Sequence, residues 1–140
     1  MNPEIKQRWV YALRNDYKQQ SDGKLRTNNG FCCLGVLCDL YLKDHKEEWE
    51  LVSHSDESQS QDYYKCFDSS EILPRSVCRW AGLSSNNPIL QVTEDPEGGE
   101  FETYYDDDEL LVSKMSEDIA CLNDTGYTFS SIADLIEKQL

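Results

Sequence analysis

The sequence predicts one α+β domain over residues 1–140, with about five helices and a small, mostly antiparallel sheet. Three observations predict it. Apolar residues recur at helical spacing near both ends of the chain. The middle breaks into short aromatic and β-branched runs bounded by turn residues. Between them lies the stretch RTNNGFCCLGVLCDL, whose apolar residues continue to Tyr41 and cover nearly every face of a helix, the mark of an element at the centre of a core.

Taken in order, Asn2 before Pro3 reads as an N-cap with proline in the first turn, and Ile5, Trp9, Ala12 and Leu13 follow at helical spacing, so a helix is expected over Pro3–Arg14. The polar segments around Asp22-Gly23 suggest a hairpin turning at that pair. The cysteine-rich helix should run from Cys32 to Leu42. EWELV and DYYKCF read as strands, separated by the polar 53–62 segment, expected to be a mobile loop. LPRSVCRWAGL has Pro74 at a helix start, Val77, Cys78 and Ala81 on one face, and Gly82 at the stop. NPILQV and EFETYY read as strands flanking an acidic Gly98-Gly99 turn. Leu111, Met115, Ile119 and Leu122 fit a further helical stripe, and Thr128 caps a last helix presenting Phe129, Ile132, Ala133, Ile136 and Leu140.

Charge narrows the function classes. With 27 acidic against 13 basic side chains, the net charge of −14 repels a phosphate backbone, which argues against general nucleic-acid binding. The acids cluster in the 94–109 segment, whereas Lys6, Arg8, Arg14, Lys18, Lys24 and Arg26 gather near the amino end, where a small anion could still be held. MNPEIKQRW lacks the apolar core of a secretory signal, and no run approaches the ~20 apolar residues of a membrane span. The expectation is a cytoplasmic protein with reduced thiols and no membrane association.

The six cysteines carry no ligand pair at zinc spacing, so no metal or cofactor is expected, and buried packing is the favoured reading. Cys32 or Cys33 at a helix start would have a stabilised thiolate, yet His45 and His54 sit in polar segments with nothing to bring either to it as a base. No catalytic residue is assigned. The third reading is an anion pocket in which Arg26, Thr27, Asn28, Asn29 and the amides beginning at Cys32 face a phosphate or carboxylate, the alternative being a loop whose asparagines cap the helix. Trp9, Tyr11, Tyr17 and Trp80 could supply a stacking surface nearby. Asn123 and Asp124 either fix the turn between the last helices or join the ligand site. The Asp106–Glu109 run lacks the alternation and glycine of a calcium loop, and its acids suit the first turn of a helix.

Three segments together, GFCCLGVLCDLY, LPRSVCRWAGLSSNNPIL and LNDTGYTFSSIADLIEKQL, resemble a family of small proteins encoded by tailed bacteriophages, cyanophages among them, and by some bacterial genomes. IKQRWVYALRNDYKQ fits the same pattern. The resemblance implies a phage accessory protein acting in a host cytoplasm, and brings no catalytic residue with it. The leading expectation is therefore a non-enzymatic binding protein for counter-defence, sequestering a small anionic, nucleotide-derived ligand. Two alternatives stay open: an inhibitor whose acidic 94–109 surface competes for a host protein and imitates DNA, and a small cysteine-dependent enzyme. A homo-oligomer also stays open.

Overall fold

Asn2 opens the first helix as its sequence demands: its Oδ1 accepts from the N–H groups of Glu4 (3.0 Å) and Ile5 (3.3 Å), and α1 runs over Pro3–Asn15. This computed structural model describes residues 1–53, 62–94, 96, 104–106, 109–111 and 115–140. Ile5, Trp9, Val10, Ala12 and Leu13 form the buried face of α1. After it, residues 18–20 run beside Phe31, with the Gln20 and Phe31 N–H groups donating to the Phe31 and Lys18 carbonyls.

The hairpin turns elsewhere than expected. β1 (Arg26–Thr27) pairs with β2 (Gly30–Phe31), so the turn is Asn28-Asn29, while Asp22-Gly23 lies in a bend without a ladder. Gly30 makes this pairing possible: its φ is 145°, and a Cβ there would sit 2.3 Å from the Lys18 carbonyl oxygen.

The cysteine-rich helix α2 spans Cys33–His45, and Cys33 to Asp39 are buried without interruption. At its first turn Gly35 lies so close to the Leu25 carbonyl that a Cβ would fall 1.8 Å from the oxygen. Trp9 is wholly buried against this turn, its indole N–H donating to the Cys33 carbonyl at 2.9 Å.

β3 (Glu50–Val52) and β4 (Tyr63–Lys65) complete an antiparallel sheet in the order β2-β1-β4-β3. α3 (Arg75–Ala81) buries Val77, Cys78 and Ala81 and ends at Gly82, whose φ of 71° is the left-handed stop a glycine favours. β5 (Ile89–Val92) alternates exposed and buried residues, β6 (Tyr104–Asp106) pairs with β7 (Glu109–Leu111), and β8 (Met115–Asp118) pairs antiparallel with β5. α4 (Ile119–Asp124) and α5 (Phe129–Gln139) close the chain, with Asp118 and Thr128 as side-chain N-caps. Among the described residues this makes five helices with small antiparallel sheets, the α+β class expected.

Two corrections follow from the pairing. The stripe Leu111, Met115, Ile119, Leu122 is not one helix: Glu109–Leu111 and Met115–Asp118 are strands, and the helix begins at Ile119. Glu109 accordingly opens a strand rather than a helical turn. Residues 54–61 of the expected 53–62 loop and most of the acidic 94–109 segment lie outside the described residues. α2 is surrounded by α1, α3 and α4, and α1 packs along α5, where Arg14 reaches Glu137 at 2.9 Å and also Asp134.

Candidate functional site

The fold divides the sequence-derived site residues into two groups. Around the mouth of α2, Cys32 and Asn123 are buried, 3% and 1% exposed. The Cys33 N–H donates to Asn123 Oδ1 at 3.1 Å, and the Gly35 N–H donates to the Cys32 sulfur at 3.4 Å. Asn123 is spent completely, because its Nδ2 also donates to the Gln20 carbonyl (2.7 Å) and to Asp124 Oδ1 (3.2 Å). Gln19 ties the same knot from outside: its amide donates to the Tyr127 carbonyl at 2.8 Å, and its Oε1 accepts from the Phe129 N–H at 2.9 Å. These helix amides therefore answer to the protein's own groups. Asp124 is exposed, at the edge of an open cleft of about 560 Å3 between Gln19–Ser21 and Asn123–Thr128.

Arg26 to Asn29 belong to the other group, on the sheet. Thr27 is buried, its Oγ1 accepting from the Asn29 N–H at 3.1 Å. Asn28 and Asn29 are exposed, and Asn28 Oδ1 accepts from the Tyr64 hydroxyl at 3.4 Å. The pairing register sets Phe31, Arg26, Tyr64 and Leu51 directly opposite one another, which puts the four side chains in a row on one face. The Arg26 guanidinium lies 4.2 Å from the Tyr64 ring centroid, 5.0 Å from Phe31 and 5.8 Å from Trp49. It makes no ion pair among the described residues. Arg8 is clamped by Asp44, Arg14 by Asp134 and Glu137, and Lys24 by Glu71, so Arg26 stands apart from the paired cations around it.

A polar cluster braces this platform. Phe31 packs edge-on to Tyr17, with centroids 5.0 Å apart, and to Trp49 at 6.2 Å. Asp39 of α2 accepts from the Tyr17 hydroxyl, from the Trp49 indole N–H at 3.0 Å and from Lys43 at 3.1 Å. Burial works against the Asp39 charge, but the hydrogen bonds from Tyr17, Trp49 and Lys43 outweigh it and hold the carboxyl below its usual range. Burial, with the bond to Asp39 second, pushes the Tyr17 phenol up to about 12. Tyr17 and Asp39, which contact Phe31 and Trp49, are thus fixed in position and in charge state.

Of the stacking residues expected from sequence, only Tyr17 joins this cluster. Trp9 is core, Trp80 packs against Tyr41 and His45, and Tyr11 is exposed. Sequence reasoning missed Phe31, Trp49 and Tyr64 as neighbours of Arg26. The signal was present in EWELV and DYYKCF, read as strands, but the register that brings them to Arg26 is not local. The thiols point away from chemistry: burial pushes Cys32 up to about 12 and Cys33 well above the ordinary thiol, so both are protonated at neutral pH. No group of three or more potential metal ligands occurs among the described residues.

The family model "Domain of unknown function (DUF8296)" matches residues 1–140, and the chain belongs to that family. No curated protein and no solved structure matches it. Among the described residues, no helix is long and apolar enough to cross a membrane.

Proposed function

We propose that the chain is a non-enzymatic binding protein that captures a small, planar anion, of the nucleotide-derived kind, at the Arg26 platform. One observation carries the reading: a guanidinium flanked by Phe31, Trp49 and Tyr64 has no carboxylate partner among the described residues, in a chain of net charge −14. The rings hold the guanidinium by cation–π attraction and leave its N–H groups for a two-pronged grip on phosphate or carboxylate. The half-buried rings beside it keep part of their surface open for a base to stack on. Asn28 and Asn29 supply further amide donors at the rim.

The setting rests on the resemblance of the three sequence segments to phage-encoded proteins: an accessory protein in a host cytoplasm, removing a nucleotide-derived signal. The α2 amides play no part in this version of the site, since Asn123 and Cys32 occupy them. The test begins with denaturing the purified protein and examining released small molecules by mass spectrometry. Nucleoside mono- and dinucleotides are then titrated while the melting temperature is followed. Stabilisation in the parent and its loss in Arg26→Ala support the reading. A nucleotide that stabilises Arg26→Ala as well as the parent overturns it.

A further inference from the structure

A second group of unpaired cations lies away from the sheet. Between Glu71 and Glu94 the sequence contains two arginines, Arg75 and Arg79, and no acidic residue, an island of positive charge in a strongly acidic chain. The two arginines stand one helical turn apart on α3, and neither side chain forms an ion pair or hydrogen bond among the described residues.

After Gly82 reverses the chain, the Leu83 N–H donates to the Cys78 carbonyl at 2.9 Å. The Asn86 carbonyl accepts from the Leu73 N–H at 3.0 Å, and Ser85 Oγ accepts from the Asn87 N–H at 3.1 Å. These bonds fold Ser84–Asn86 back beside α3 and leave an open recess of about 430 Å3, within the size range of small-molecule sites. Arg75 and Arg79 form one wall, Ser84, Ser85 and Asn86 the other, and Leu73, Cys78 and Leu83 also line it. Among the described residues, no carboxylate lines the recess.

Like charges one turn apart on a helix repel each other. A dianion between them turns that repulsion into attraction, and the serine hydroxyls and asparagine amide opposite are suited to its remaining oxygens. We infer that this recess binds a phosphate group, either free phosphate or the phosphate of a small sugar ester, independently of the Arg26 platform.

The experiment is isothermal titration of the intact protein with inorganic phosphate and, separately, with ribose 5-phosphate, which has no base to stack on the Arg26 rings. Sodium chloride at matched ionic strength serves as the control. The expected result is saturable binding of at least one of the two, weakened tenfold or more in Arg75→Gln/Arg79→Gln and unchanged in Arg26→Ala. Tighter binding of the ester assigns the recess to a phosphate ester, and equal binding assigns it to phosphate itself. Arg75 and Arg79 are exposed and Arg26 is half-buried, and the melting temperatures of both variants are measured to establish that they fold. Absence of saturable binding, binding unchanged in the double variant, or binding lost in Arg26→Ala overturns the inference. The last result would place phosphate on the platform instead.

Discussion

The stretch from Arg26 to Leu40 supplies both chemistry sealed in the core and chemistry left at the face of the sheet, and the two halves are separated by a single turn of chain. Cys32 and Cys33 turn inward, where their N–H groups donate to Leu25 and Asn123, the Cys32 sulfur accepts from the Gly35 N–H, and the Cys33 thiol donates to the Ile119 carbonyl. Arg26, a few residues earlier, turns to the sheet face, where its guanidinium lies against rings and makes no ion pair among the described residues. The lesson lies in the accounting of hydrogen bonds rather than in residue type. Polar groups at the helix mouth serve the fold, and those of Arg26 are left over for something else.

That contrast can be broken at four points. The largest effect belongs to Leu37→Ala, which removes a fully buried side chain from the sealed helix and should cost about 2–5 kcal/mol in denaturant unfolding. A loss below about 0.5 kcal/mol would mean that α2 is not core. Next comes Asn123→Leu, which strands the Cys33 N–H and the Gln20 carbonyl and should cost about 1–3 kcal/mol while leaving nucleotide binding intact. Lost binding in a stable Asn123→Leu protein would return the helix mouth to the site.

Asp39→Asn probes the brace beneath the platform, with a smaller cost of about 1 kcal/mol at neutral pH. Because the folded carboxyl lies below its ordinary value, its contribution is present above the unfolded value of about 4 and disappears as pH falls through the folded one. Melting temperature against pH should therefore fall less steeply in acid for Asp39→Asn than for the parent, and parallel curves would remove Asp39 from the account. The smallest effect on stability is that of Arg26→Ala, about 0.5–1 kcal/mol from lost ring contacts. If that substitution unfolds the protein, the arginine is a structural member and not a surplus one.

Much of the fold was legible because its signals are local. Asn2-Pro3, Gly82 and Thr128 mark helix ends through bonds or backbone angles confined to a few residues, and the all-round apolar α2 has no other place than the core. The hairpin was not legible in its position, since Asp22-Gly23 and Asn28-Asn29 are both good turn sequences. Long-range contacts decide between them: residues 18–20 pair with Phe31, and Leu25 presses on Gly35. Met115 fits a helical stripe, yet its segment pairs with β5, a partner that no local window contains. The site divides the same way. Arg26 could be picked out as a lone cation before the helix, but its three rings come from β2, β4 and the approach to β3.

The seam between α1 and α5 bears on how the chain is made. Ile5, Trp9 and Leu13 are synthesised well before α5, the helix that α1 packs along. Gln19 repeats the pattern, waiting for the Tyr127 carbonyl and the Phe129 N–H. At about 5–20 residues per second, the amino-terminal helix waits on the order of ten seconds for its partner while the chain is still on the ribosome. Through that interval its apolar face is available to chaperones and to other nascent chains. A messenger truncated after Thr128 would release a protein whose first helix keeps its contact with α2 but lacks its long seam with α5, prone to aggregate although every residue of that helix is intact.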